Sequence, residues 1–260
     1  MSNPTLNDVT TEELMVFAAS KEVHDNEVAL IGTGLPMIAA YLAKATHAPN
    51  TVLIFESGVM DTRPRHIATG VGDFPLVNRA AKTSTLFDAL SLLQLGEIDL
   101  GFLGAAEIDQ YGNINTTVIG PYEDPKVRLP GSGGANDIAS LAGRVVVIAR
   151  HKRRTFPERV NYLTTPGFLR GAREREKAGL RGEGPRRVIT NLGVFGFDED
   201  TKRMKVVSLH PEVSPEQVQE NTQFQMLFND GETPVTEIPP PDILQIIREL
   251  DKDRIYIGKE

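Results

Sequence analysis

The chain has 260 residues, enough for one large core or two small ones, and 40% hydrophobic with 24% charged residues excludes a disordered polymer. A net charge of −7 argues against a nucleic-acid partner, because a phosphate backbone is met by a clustered basic surface. The absence of cysteine excludes disulfides and thiolate metal sites and fits a reducing cytoplasm, while no apolar run approaches the roughly 20 residues of a membrane span and the first residues lack the pattern of a signal peptide.

Residues 1–8 read as a loose N-terminal arm. Thr10 and Glu13 form a capping box, and Leu14, Phe17 and Ala18 follow at helical spacing, so a helix is expected over 11–23. Val28–Ile31 is a short apolar strand that runs into Gly32-Thr33-Gly34-Leu35-Pro36, a turn whose proline suits the first position of a helix ending near Lys44. A second apolar strand covers 51–55. Strand, glycine-rich turn, helix, strand is the pattern of an open α/β sheet. It continues with a helix over 84–95 and strands over 98–103 and 144–149. The intervening stretch 109–143 is rich in Gly, Asn, Pro and Asp and is expected to be mostly loop, a length that usually serves function. Residues 170–177 predict a charged, solvent-facing helix. Residues 187–197 and 204–209 predict strands joined through Asp198-Glu199-Asp200. Ser214-Pro215-Glu216-Gln217 opens a capped helix, and a final helix spans 242–250 after Pro239-Pro240-Pro241. No repeat or interior linker is evident. The expected fold class is α/β, an open and mostly parallel sheet flanked by helices, with residues 1–260 as a single domain.

Several residues are candidates for chemistry. Glu56 directly follows Thr-Val-Leu-Ile-Phe and precedes Ser57-Gly58. A charged carboxylate inside an apolar strand carries a large desolvation cost, so Glu56 belongs at the strand's carboxyl end, where open α/β sheets place ligands. From spacing alone, a strand-end carboxylate more often caps or pairs with a neighbour. Gly131-Ser132-Gly133-Gly134-Ala135-Asn136 can present bare N–H groups to an oxyanion or phosphate, or can be a plain surface turn. It is not a P-loop. Gly32-Thr33-Gly34 is a partial dinucleotide fingerprint, but Met37 stands at the third glycine and removes that reading. The five histidines are scattered with no ligand spacing, which argues against a metal. No nucleophile elbow is present. The basic run Arg150 to Arg154 reads as a solvated face, or as a contact for a ligand's phosphates or a partner subunit.

Gly-Thr-Gly-Leu-Pro at 32–36, Glu-Ser-Gly at 56–58, Gly-Ala-Ala-Glu-Ile-Asp at 104–109, Tyr-Gly-Asn-Ile-Asn at 111–115 and Gly-Ser-Gly-Gly-Ala-Asn at 131–136 stand in this order, followed by Lys152-Arg153-Arg154, Thr165-Pro166-Gly167 and Glu220-Asn221-Thr222. Together, across residues 10–250, they resemble the β subunits of family I CoA-transferases, those acting on glutaconate in particular. Ala105 departs from the glycine often found there. The resemblance implies that Glu56 is the nucleophile and passes through an acyl-glutamyl anhydride and a glutamyl-CoA thioester. A carboxylate is its own nucleophile, so no general base, metal or permanently bound cofactor is required, and coenzyme A is a substrate. It further implies that Gly133, Gly134 and Ala135 bind the oxyanion or thioester, and that Gly32, Thr33, Gly34, Leu35, Ser57, Gly58 and Asn115 wall the pocket. The implied partner is a homologous α subunit in a heterotetramer or larger assembly, and the implied acceptor is a dicarboxylic acid such as glutaconate. Relatives that lost the glutamate decarboxylate or hydrolyse CoA esters. Retention of Glu56 speaks against that role, and against a non-catalytic scaffold.

Overall fold

The computed structural model describes residues 9–258, so the arm expected at 1–8 lies outside the described residues. In chain order the elements are helix α1 (Thr11–Ser20), strand β1 (Val28–Ile31), helix α2 (Leu35–Ala45), strands β2 (Val52–Phe55) and β3 (Val59–Met60), a 3-10 turn at Phe74–Val77, strand β4 (Lys82–Thr83) and helix α3 (Leu86–Leu95). There follow β5 (Leu100–Gly104), β6 (Glu107–Ile108), β7 (Ile114–Asn115), β8 (Val118–Ile119), β9 (Val127–Arg128), α4 (Ala135–Leu141) and β10 (Arg144–Ala149). The chain ends with α5 (Glu174–Lys177), β11 (Pro185–Thr190), β12 (Gly193–Phe197), β13 (Met204–Leu209), α6 (Pro215–Glu220) and α7 (Pro241–Leu250). Two compact units result: residues up to Phe102 together with those from Glu237, and residues Leu103–Thr236.

In the first unit, β1 runs parallel to β2 in the register Val28↔Val52 through Ile31↔Phe55, and parallel to β5 at Ala29↔Leu100 and Leu30↔Gly101. Helix α2 is the crossover that parallel neighbours require. The strands are almost wholly apolar because helices cover them, as parallel strands demand. β3 and β4 extend the edge antiparallel, at Ile54↔Met60 and Val59↔Thr83. Helix α2 is buried from Met37 to Ala43, and its alanines let α1 and α7 close against it. The capping box at Thr10 and Glu13 forms as expected. Glu13 is buried, and its charge is answered by Arg248 of α7, whose Nε donates to Oε1 at 2.7 Å. The helix stops at Ser20, shorter than the expected 11–23.

In the second unit, β10 and β11 are parallel, from Val146↔Arg187 to Ala149↔Thr190, and β12 and β13 follow antiparallel. The sheet is thus mixed, with parallel core strands and flanking helices, which is the expected fold class.

Two local expectations are corrected by the structure and one holds. The run 187–197 is two strands, because the chain reverses at Asn191-Leu192 and Val188 faces Phe195. The stretch 109–143 is mostly loop as expected, interrupted by the β6–β7 pair's second strand, the β8–β9 pair and helix α4, elements too short to show a period in sequence. The charged helix at 170–177 shrinks to Glu174–Lys177, and Arg175 points inward at 4% exposure. The Arg175 guanidinium donates to the carbonyls of Gly167 and Ala139 at 3.1 and 2.7 Å, and burial lowers its pKa to about 10. Among the described residues no helix is long and apolar enough to cross a membrane.

Candidate functional site

The register of β1 and β2 ends at Ile31↔Phe55, so Gly32 and Glu56 leave the carboxyl edge of the first unit side by side. Glu56 is half-buried, at the boundary where a carboxylate can be presented without full desolvation. Its turn is held by backbone. The Gly58 N–H donates to Phe55 O at 2.9 Å, closing the turn. Ser84 then donates twice to Gly58 O, from its N–H at 2.9 Å and its hydroxyl at 3.0 Å. Gly58 has φ +92°, and a Cβ there would lie 2.6 Å from the backbone of Ser84 and Thr85. Only glycine satisfies both the angle and the space. The Ser57 hydroxyl oxygen is buried and makes no hydrogen bond among the described residues.

Across from this turn, Gly32 has open space where a Cβ would stand. Gly34 caps α2 at φ 89°, ψ −150°, a region essentially restricted to glycine. Its carbonyl takes the N–H groups of Met37 and Ile38, and Pro36 sits in the first helical turn as expected. Thr33 and Leu35 are half-buried on the same turn. The structure therefore brings together Gly32, Thr33, Gly34, Leu35, Glu56, Ser57 and Gly58.

Gly131–Asn136 and Asn115 belong to the second unit and are held by its own side chains. The Thr116 hydroxyl donates to Gly131 O and the Gly131 N–H to Thr116 O, each at 2.8 Å. The Asn136 amide donates to Thr164 O at 2.9 Å. Ala135 spends its N–H on Ser132 O at 3.0 Å, so it is not the bare oxyanion donor expected of it. Gly133 is exposed with φ 49°, and its N–H makes no hydrogen bond among the described residues. Asn115 is fully buried and does not line an open surface: its amide donates to Glu107 Oε2 and Val118 O, both at 2.7 Å. Asn161 completes the grip on Glu107 through its N–H and side-chain amide at 2.9 and 2.6 Å.

The basic run is not one continuous face. His151 is buried within it, stacked on Phe156 with ring centroids 3.8 Å apart, and burial holds its imidazole down to about 3. Arg153 donates to the carbonyls of Glu220 and Thr222 at 3.2 and 3.4 Å, tying the end of α6.

Two contributors had no sequence signal. Ser84 fixes the Glu56 turn from 26 residues beyond Gly58. Tyr256 reaches the Gly34 turn from beyond α7.

Residues 13–221 match a family model described as Coenzyme A transferase. The chain is 40% identical over 245 residues to one of the subunits of the 3-oxoadipate CoA-transferase of Pseudomonas knackmussii, 93% of each chain. It is 36% identical over 255 residues to one of the subunits of the glutaconate CoA-transferase of Acidaminococcus fermentans, 95% of each. The crystal structure of the Acidaminococcus glutaconate coenzyme A-transferase superposes with a TM-score of 0.90 at 35% identity, covering 97% of this chain and 99% of that one. The decarboxylase AibA/AibB superposes with a TM-score of 0.83 at 25% identity, covering 96% and 98%.

Proposed function

The chain belongs to the coenzyme A transferase family, and from that premise we propose that it is the carboxylate-bearing half of a two-subunit enzyme that moves CoA between an acyl-CoA and a dicarboxylic acid through a thioester on Glu56. One observation carries the reading: Glu56 stands at the edge of a parallel strand pair, on a turn that only glycine can make and that Ser84 pins in place, beside the open surface at Gly32.

The chemistry balances without an external base. A Glu56 carboxylate oxygen attacks the thioester carbonyl, and collapse of the tetrahedral adduct expels CoA thiolate and leaves an acyl-glutamyl anhydride. The thiolate attacks the glutamyl carbonyl, releasing the first carboxylic acid and forming glutamyl-CoA. The acceptor carboxylate attacks that thioester, and the same two steps run in reverse to give the new acyl-CoA and free Glu56. This is nucleophilic catalysis by a positioned carboxylate. Each attack places negative charge on a carbonyl oxygen, and a preset N–H donor is worth about 3–4 kcal/mol there.

The dicarboxylate preference rests on the two CoA-transferase relatives, whose named substrates are both dicarboxylic acids. The partner rests on both relatives being named as subunits, and on α3. That helix buries only Ala89 and Leu93 and leaves Leu86, Phe87 and Leu95 at 51, 77 and 71% exposure. Exposed apolar side chains of this kind mark a docking surface, and the first of them lies two residues after Ser84, which holds the Glu56 turn.

Co-expression with a homologous partner, followed by a CoA-transfer assay over a panel of dicarboxylates, tests the assembly. The isolated chain is expected to be inactive, and full turnover without a partner would remove the two-subunit reading. Incubation with acyl-CoA is expected to add the mass of CoA at Glu56, and Glu56→Gln to abolish both labelling and transfer while the fold persists. Transfer at the wild-type rate by Glu56→Gln would place the nucleophile elsewhere and favour decarboxylation or hydrolysis of CoA esters.

A further inference from the structure

Beyond α7 the chain is clasped by a single carboxylate. Asp251, 2% exposed, accepts the backbone N–H groups of Ile255, Tyr256 and Ile257, each at 2.8 Å. That clasp fixes the backbone of Tyr256 and sets its side chain at a junction within the first unit. The phenol donates to Ala68 O at 2.9 Å. The ring edge lies 3.9 Å from where a Cβ on Gly34 would stand. Ala68 is itself buried, and the residues after it wrap around Asp73, whose carboxylate accepts the Thr69 N–H, the Thr69 hydroxyl and the Gly70 N–H at 2.6, 2.7 and 2.9 Å. One side chain thus spans the strand-end turn at Gly32 to Gly34 and the loop at 68–73.

The turn needs such a brace. Gly34 occupies a backbone region open almost only to glycine, and two glycines in three residues carry the largest conformational freedom a chain offers. No side-chain cap secures the start of α2. The register places this turn beside Glu56, so movement in it changes the surface that an acyl group meets. Burial pushes the Tyr256 phenol up, with Asp73 and Asp251 adding to the effect and the Thr33 side chain opposing it, so the group is a neutral donor at physiological pH.

On the reading that Glu56 is the nucleophile, we infer that Tyr256 is a positioning residue for acyl transfer, bracing the Gly32–Gly34 turn against the 68–73 loop. A tail that was only anchored by this contact would alter melting and leave the chemistry alone. The brace predicts the opposite division.

The test uses the co-purified two-subunit enzyme carrying Tyr256→Ala or Tyr256→Phe. The single-turnover rate of CoA attachment to Glu56 is followed by mass spectrometry, with the thermal midpoint and the acyl-CoA KM measured alongside. Tyr256→Ala is expected to slow attachment about 10²-fold, the cost of misplacement by about 1 Å, with KM changed less than about threefold. Tyr256→Phe keeps the ring on Gly34 and loses the phenol's bond to Ala68 together with its contact to the Thr33 side chain, so it is expected to recover most of that loss and to sit about fivefold below wild type. Attachment by Tyr256→Ala within twofold of wild type overturns the inference, as does a slowing fully explained by its unfolded fraction. Should Tyr256→Ala not fold, Tyr256→Phe decides: a fivefold slowing at an unchanged midpoint sustains the brace, and a wild-type rate overturns it. Glu56→Gln, run in parallel, separates the two readings, because attachment of CoA to that variant defeats the Glu56 assignment whatever Tyr256 does.

Discussion

The Glu56 turn of the first unit and the 107–136 segment of the second are both irregular backbone held in one shape, and they are held by different physics. The turn relies on main chain: parallel register, a glycine with no room for a Cβ, and two bonds from Ser84 to one carbonyl. The second segment relies on buried polar side chains. Asn113 donates to both oxygens of Asp109, at 3.1 and 3.0 Å, while its own oxygen accepts the N–H groups of Gly167 and Leu169 at 2.9 and 3.1 Å. Burial pushes the Asp109 carboxyl up, and the Asn113 side chain leads the contacts that oppose it. A backbone lock fails when atoms are added, and a polar network fails when they are taken away.

That contrast can be broken at its strongest point by Asn113→Ala. The variant strips the buried Asp109 of its amide donor and leaves two N–H groups unpaired, at a cost of about 1–3 kcal/mol for each unsatisfied group. A fall of about 3 kcal/mol or more in urea-derived stability is expected, and a loss below about 1 kcal/mol would show that water replaces the amide and that the network is not what holds the segment.

Gly58→Ala probes the other side of the comparison. The added methyl meets backbone at 2.6 Å and must adopt a positive φ, at a cost of about 1–3 kcal/mol. Because the strain falls on the Glu56 turn, CoA transfer is expected to drop by about 10²-fold, well beyond what the stability loss accounts for. Equal effects on stability and turnover would mean that the lock supports the fold and not the nucleophile.

The smallest effect sharpens the comparison through pH. Burial depresses His151 to about 3 and His210 to about 4, from an ordinary 6.5. A depressed folded-state pKa contributes stability that is complete above 6.5 and is lost as pH falls from there toward the folded values. Each histidine therefore removes up to about 1.4 kcal/mol per pH unit within that window. Urea midpoints between pH 7 and 5 are expected to fall accordingly, and His151→Gln to flatten the slope. An unchanged slope in that variant would assign the acid sensitivity to other groups.

The same contrast explains which features are legible from sequence. The Glu56 turn is built from neighbours in the chain, an apolar strand followed by Glu-Ser-Gly, so its position at the strand end is legible. Helix caps are legible for the same reason: the capping box of Thr10 with Glu13, and the Ser214 hydroxyl that accepts the Gln217 N–H, each join residues three apart. The polar, glycine-rich motif around Asn115 points to a pocket wall, yet its amide is consumed by Glu107 and Val118. The charged helix around Arg175 points to solvent, yet carbonyls from Ala139 and Gly167 draw the guanidinium inside. Ser84 and Tyr256 give no signal, since nothing beside them in the chain marks what they touch.

Sequence alone set the α/β class, the neighbouring apolar strands β1 and β2, the caps of α1 and α6 and the place of Glu56, because each follows from periodicity, capping or desolvation among residues a few positions apart. Only the tertiary structure decided that Ser84 would pin Gly58, that Ala135 would spend its N–H while Gly133 would not, and that Tyr256 would reach Ala68 across 188 residues. Those outcomes depend on which polar groups meet once strands have chosen a register and helices have packed. A hydrogen bond forms within about 3.5 Å or not at all, and no local pattern encodes a distance between residues so far apart in the chain.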